Sequence, residues 1–232
     1  MKMKYQLPIH IKIKALSSET LFRDYAPVEV LGYCQGCGNY GKNHSCPGGE
    51  VEGQQLLEGY TRALLLVTEV DTAAFSSEDS ELAAILPQLP LASQVYTDFR
   101  ESHPEIKDDL YSRVSMYVFN QVKDLVGDRL MLAEARIPDS LCLKPGACTL
   151  CGSCIKRQGL PCAHPEQLRY SLESLGFKVS DLLLVHFDIP MTWSKDQFPE
   201  AFRSVSAFMS REAVDEEALM DLFQGLYVTI EA

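Results

Sequence analysis

The chain opens with a period-two pattern, Ile9, Ile11 and Ile13 alternating with His10, Lys12 and Lys14. Three β-branched residues then share one face, which predicts a half-buried or edge strand. Residues 28–33 (Val28, Glu29, Val30, Leu31, Gly32, Tyr33) read as a further short extended segment, and Val51 to Tyr60 as a helix. The apolar run from Arg62 to Val70 suits a central strand. Ser77 to Leu86 predicts a short helix stopped by Pro87 and Pro90.

The strongest helical pattern follows. Ser102 is the expected N-cap, Pro104 lies in the first turn, and Ile106, Leu110, Val114, Tyr117, Val118, Val122 and Leu125 form one apolar stripe. Gly127 stands where a left-handed cap would end that helix. Pro165 opens a helix over Glu166 to Leu175 that Gly176 closes, and Leu182 to Phe187 reads as a second buried strand. Glu212 to Gln224 is expected to be helical, with Asp215, Glu216 and Glu217 near its N-terminus, and Leu226 to Ile230 to be a closing strand.

Interleaved strands and helices without an internal repeat or a Gly/Ser linker predict an α/β or α+β fold. It would have a mixed sheet, flanking helices and one compact domain over residues 1–232. Two cysteine-rich loops, at 33–47 and 142–165, interrupt it. Hydrophobic residues make up 46% of the 232 positions, too many for a disordered chain, and no apolar run approaches a membrane span. The basic N-terminus leads into alternating residues instead of a signal-peptide core. A formal net charge of −11 argues against nucleic acid and for a basic partner protein or a small molecule. The expected location is the cytoplasm, where thiols stay reduced and eight cysteines are metal ligands in preference to disulfides.

Those cysteines carry the chemistry. Cys148, Cys151, Cys154 and Cys162 form a C-x2-C-x2-C-x7-C run, with Pro165 three residues beyond. Thiolates at successive x2 spacings reach three irons of one cubane, whereas a zinc ribbon wants separated C-x2-C pairs and leaves the middle cysteine surplus. The spacing therefore favours [4Fe–4S] over zinc. The first loop supplies Cys34, Cys37 and Cys46, with Gly36, Gly38 and Gly41 allowing close backbone approach to sulfur.

Cysteine arithmetic leaves three partitions open. Cys142 completes the first loop's trio while the second run closes on itself. Alternatively Cys162 crosses to the first trio and Cys142 joins Cys148, Cys151 and Cys154. In the third, Cys142 is a buried structural thiol, and one cluster keeps an open iron for a small substrate. His44 and His164 lie close enough to the cysteines to ligate, hydrogen-bond or supply protons, whereas His10, His103 and His186 are expected to be structural. Tyr40 and Lys42 flank the first loop as contacts for an anion, and Trp193 is expected to pack over an edge. Phosphate loops, zinc-protease helices, nucleophile elbows and the C-x3-C-x2-C radical spacing are all absent from the sequence.

Two separated motifs carry a resemblance. The first is Tyr33-Cys34-x2-Cys37-x2-Tyr40-Gly41-Lys42-x2-Ser45-Cys46-Pro47. The second is Gly146-x-Cys148-x2-Cys151-x2-Cys154, continued by Gly159-Leu160-Pro161-Cys162-x-His164-Pro165 and Tyr170-Ser171-Leu172-Glu173-x2-Gly176-Phe177-x-Val179. Over about residues 30–188 the chain resembles a family of cysteine-rich predicted metal-binding proteins of unknown function from anaerobic bacteria and archaea. The resemblance implies a metal or iron–sulfur role in anaerobic metabolism. Seven cysteines fall on the family's motif positions and Cys142 does not; Gly48-Gly49 and Lys178 depart from its pattern without touching a sulfur.

Three functions follow. The leading expectation is an iron–sulfur protein that transfers electrons through one or two [4Fe–4S] clusters, alone or beside a redox enzyme. The second is an enzyme whose open three-cysteine cluster binds a small substrate for reduction or sulfur transfer. The third is a zinc-stabilised interaction module.

Overall fold

A computed structural model describes residues 9–37, 40–71, 109–146, 148, 150–191, 200–214, 216–224 and 226–230. Its centre is a five-stranded mixed sheet in the order β3-β4-β2-β1-β5. The strands are β1 (Ile9–Ser17), β2 (Arg62–Asp71), β3 (Ser140–Leu143), β4 (Ala201–Ser210) and β5 (Tyr227–Ile230). The β3, β4, β2 and β1 strands pair antiparallel, and β5 adds in parallel to β1. This is the α+β form of the expected fold.

Alternation sorts the two faces, because neighbouring side chains on a strand point opposite ways. On one face Ile9, Ile11, Ile13, Leu64, Leu66, Cys142 and Phe208 pack beneath Val122, Val126, Leu130 and Ala133. Those four share one face of a long helix, α4 (Asp109–Arg136), at near-helical spacing. The short helix α6 (Glu216–Leu222) covers the same side through Leu219 and Leu222. On the other face Leu65, Val67, Leu143, Ala207 and Met209 meet Leu21, Leu57, Phe177, Leu182 and Leu183. Here lie helices α1 (Ser18–Leu21), α2 (Pro27–Cys34), α3 (Gly53–Leu56) and α5 (Val179–Phe187). Among the described residues no helix is long and apolar enough to cross a membrane.

Several local expectations are corrected. Residues 28–33 are helical within α2, because Pro27 at the first position presets the helical φ and only Val30 is buried. Leu182 to Phe187 is likewise helix: Val179, Leu182, Leu183 and His186 are the buried positions, a 3.6-residue period, while Leu184 and Val185 face solvent. The expected helix over 166–175 is a turn followed by a 3-10 segment, Glu173–Leu175. Ser171 and Ser174 trade side-chain and backbone hydrogen bonds there, which replaces the helical ladder. Of the helix expected over Val51 to Tyr60, only Gly53–Leu56 forms.

Gly127 caps nothing, since α4 runs on to Arg136. A Cβ at that position would lie 2.4 Å from Lys144 Cε, so the glycine leaves room for the lysine against the helix. The β1 strand is internal, between β2 and β5. The patterns at Ser77 to Leu86, Ser102 to Asp108, His103 and Trp193 fall outside the described residues.

One junction positions the cysteine loops. Ala26 N–H donates to Gly176 O (2.9 Å) and Lys178 N–H to Asp24 O (2.9 Å), flanking a bridge between Tyr25 and Phe177. Phe22, Tyr25 and Phe177 stack around it with ring centroids 5.1–5.4 Å apart. The chain leading into the first cysteine loop is thereby fixed beside the chain leaving the second. Gly176 holds φ +98° there, and a Cβ would approach Pro27 Cα to 2.9 Å. Gly176→Ala is therefore expected to cost about 2 kcal/mol or more, read as a lowered chemical-denaturation midpoint. Gly59→Ala, at φ +86° with open space around it, is expected to cost about 1 kcal/mol.

Candidate metal centre

The first cysteine loop begins at the C-terminal end of α2. Cys34 is its last residue, and Cys37 N–H donates back to Cys34 O (2.9 Å), folding the C-x2-C segment into a tight turn. Tyr40 N–H continues to Cys37 O (3.1 Å), and Gly41, at φ +64°, donates its N–H to Cys46 O (3.1 Å). Asn43 and Ser45 are buried, with Asn43 Oδ1 accepting from both Ser45 Oγ (2.7 Å) and Cys46 N–H (2.9 Å). The loop thus returns Cys46 towards Cys34 and Cys37, and each of those thiols acts on Cys46 electrostatically. Burial first, then the neighbouring Cys37 and Cys34, push the Cys46 thiol up to about 11. Burial also raises Cys34, with Cys37 and Glu173 adding to it.

The second loop leaves β3 through Gly146 (φ +78°) and brings Cys148 beside Cys151 and Cys162. Burial raises the Cys148 thiol, against the Leu150 amide and the Lys144 ammonium, which favour its thiolate. Cys154 precedes a 3-10 turn, Ile155–Gln158, that Gly159 closes at φ +72°. His164 N–H donates to Cys162 Sγ (3.4 Å), an amide-to-sulfur bond of the kind that supports thiolate. Lys144 is anchored to Asp124 (3.2 Å). Lys123, next to Asp124 on α4, would touch a Cβ at Gly146, and burial lowers its ammonium against the pull of Glu173, Asp124 and Cys46. Lys144 therefore puts positive charge beside Cys148, where bound thiolates would concentrate negative charge.

The two loops are joined directly. Cys148 N–H donates to Ser45 Oγ (2.9 Å), His44 Nε2 meets Leu160 O (3.0 Å), and Lys156 Nζ donates to Pro47 O (3.2 Å) and Glu50 Oε2 (2.6 Å). His44 is thus a strut between loops. Tyr40 donates its hydroxyl to Gly48 O (3.2 Å), and Lys42 is exposed. His186 pairs with Asp24 (3.1 Å), a residue of the Phe177 junction, and His10 sits on β1. The sequence reading assigned no role to Asn43, Ser45 or Lys156. Their signal is faint: polar residues inside a cysteine loop look solvated until their partners in the fold are known.

Cys142 stands apart from the loop thiols. It lies on β3, buried in the core beneath α4, and pairs in register with Phe208. Its amide donates to Glu134 Oε2 (2.9 Å), and burial, then Glu134, push its thiol far up. Glu134 also takes a two-pronged bond from Arg169, through Nε (2.8 Å) and Nη2. Burial works to raise the Glu134 carboxyl, yet Arg169 and the Cys142 amide outweigh it and hold the carboxyl below its ordinary range. Arg169 Nη1 reaches the carbonyls of Glu166 (2.7 Å) and Leu168 (2.8 Å), so this pair clamps the chain after Cys162 onto α4. Between clamp and loop, Met131, Lys144, Gly146, Cys148, Leu150, Gln167 and Arg169 line a cavity of about 20 Å³, room for one water-sized group.

All eight cysteines are free thiols. Among the described residues, no three Cys, His, Asp or Glu side chains converge tightly enough to hold an ion as they stand. The donor set nevertheless fits a thiophilic metal: two groups of thiols on tight turns, amides directed at sulfur and lysines close by.

No curated protein and no solved structure matches the chain. A family model does, over residues 26–209, and that span contains both cysteine loops and the clamp behind the second. The chain belongs to the family described as predicted metal-binding protein (DUF2284).

Proposed function

We propose that the two loops hold iron–sulfur clusters of the [4Fe–4S] type and that the protein passes electrons to and from a partner. The observation that carries this reading is the C-x2-C-x2-C-x7-C run stitched to a second three-cysteine loop. The chemistry such clusters supply is one-electron transfer at potentials tuned by surrounding hydrogen bonds. This chain contributes thiolates from Cys34, Cys37 and Cys46 and from Cys148, Cys151, Cys154 and Cys162. The His164 amide on Cys162 and the Lys144 ammonium near Cys148 moderate the accumulated negative charge. An acidic chain of net charge −11 favours a basic partner, whose association would weaken with added salt. Oxygen-sensitive clusters and free thiols fit a reducing cytoplasm and anaerobic metabolism. The test is a redox titration of the anaerobically prepared protein, followed by visible absorption and electron paramagnetic resonance. Reversible bleaching with a paramagnetic reduced state supports the reading; spectra unmoved by reductant overturn it.

The core position of Cys142 favours a second reading, in which seven thiols serve as ligands. The first loop then supplies three, and one coordination position is left for a small substrate. Cys142→Ala is expected to leave iron and sulfide content unchanged, while lowering stability by about 1 kcal/mol through the lost sulfur volume. Loss of half the iron in that variant would instead make Cys142 a ligand.

Loading depends on pH. The thiols at positions 34, 46 and 148 hold their protons more firmly than free cysteine does, so a metal must displace those protons at neutral pH. Uptake is expected to tighten as pH rises and weaken as it falls, by about tenfold per pH unit for each proton displaced. Metal titrations between pH 6 and 8 in a non-chelating buffer would read that slope.

A further inference from the structure

We propose that the Asn43–Ser45–Cys148 junction makes the two cysteine loops load as a coupled pair, each bound centre raising the other's affinity. This rests on the reading that both loops bind metal. The junction is a continuous chain of bonds: Cys148 N–H to Ser45 Oγ (2.9 Å), Ser45 O–H to Asn43 Oδ1 (2.7 Å), and Cys46 N–H to the same oxygen (2.9 Å). Ser45 is 1% exposed and Asn43 8%, so water does not compete for these groups. The backbone of a ligand in one loop is thereby tied to the backbone of a ligand in the other. Lys156, reaching Pro47 O and Glu50, and His44, meeting Leu160 O, repeat the tie on either side.

The thiols do not converge as they stand, so a metal must order each loop as it binds. Whichever loop loads first fixes Cys46 or Cys148, and through Ser45 it restricts the other loop before that loop has bound anything. The second event then orders fewer groups. Coupling of this kind is reciprocal, because the same free energy is shared by both orders of loading.

Cobalt(II) is the probe, since its thiolate absorption reports binding without requiring sulfide or a cluster. The quantity measured is the first loop's cobalt affinity in the full chain, with and without Cys148→Ala and Cys151→Ala in the second loop. Disabling the second loop is expected to weaken the first by about tenfold, within the usual range of site-to-site coupling. In a Ser45→Ala background the same change is expected to do almost nothing. Lys156→Met, which cuts a second tie while leaving the junction intact, is expected to reduce the effect partially and keeps the test open should Ser45→Ala fold poorly. A first-loop affinity indifferent to the second loop, or coupling that persists undiminished in both variants, overturns the proposal while leaving metal binding in place. A chain with no cobalt–thiolate band overturns the metal reading and the coupling together.

Discussion

Replacing Cys148 and Cys151 together by alanine is expected to remove one whole centre, leaving about half of the iron and sulfide of the unaltered chain when loaded with excess of both. The two thiols belong to one group: Cys151 and Cys162 act directly on Cys148, whereas Cys34 and Cys37 act on Cys46. Two thiolates missing from the second loop leave too few ligands for a cubane there. The first loop keeps its three and its scaffold, the turn at the end of α2 and the Asn43 hydrogen bonds. The visible spectrum should fall in parallel with the iron, and the retained half should disappear when Cys34→Ala and Cys37→Ala are added. Complete loss of iron from the Cys148, Cys151 pair alone would point to one shared centre instead of two.

A second large effect is expected at the clamp behind the second loop. Glu134 and Arg169 are each only about one-sixth exposed, at 15% and 16%, and together they bond to one another, to the Cys142 amide and to the carbonyls of Glu166 and Leu168. Removing one partner strands a charge away from water, and Glu134→Ala is expected to destabilise the chain by about 3 kcal/mol. The double replacement Glu134→Leu with Arg169→Met should recover part of that loss, since no unpaired charge remains. The pH dependence has a definite sign. The folded-state carboxyl of Glu134 is held below its unfolded value, so its contribution is fully present above about pH 4.3 and is lost as pH falls through the folded-state pKa. Denaturant melts compared between neutral and acidic pH should show that loss in the unaltered chain and a smaller one in the double variant.

The sequence revealed the sheet's centre more readily than its periphery. Ile9, Ile11 and Ile13 announce β1 because one face is apolar and the other charged, and the long stripe ending at Leu125 announces α4. Short apolar runs mislead in the way their length dictates: six residues such as Leu182 to Phe187 fit a strand or a buried helix equally until neighbours are known. The β4 strand was invisible because Ser204, Ser206 and Ser210 interrupt its apolar residues, although it pairs along all ten positions with β2. The four-residue β3, between Pro138 and Pro145, is too short to show a period.

The cysteine motifs themselves were fully legible, being local spacings. What joins them was not. Ser45 meets the Cys148 amide across 103 positions and His44 meets Leu160 across 116, and such pairs have no signature in a single chain. The placement of Cys142 in the core is of the same kind, visible only once β3 is seen beneath α4.

The most direct test is the content of iron, zinc and acid-labile sulfide per chain in protein purified without oxygen, with an absorption spectrum of the same sample. Two [4Fe–4S] centres predict about eight irons and about eight sulfides with broad visible absorption. One or two zincs, no sulfide and a colourless solution would contradict the iron–sulfur reading and leave the loops as zinc-bound structure.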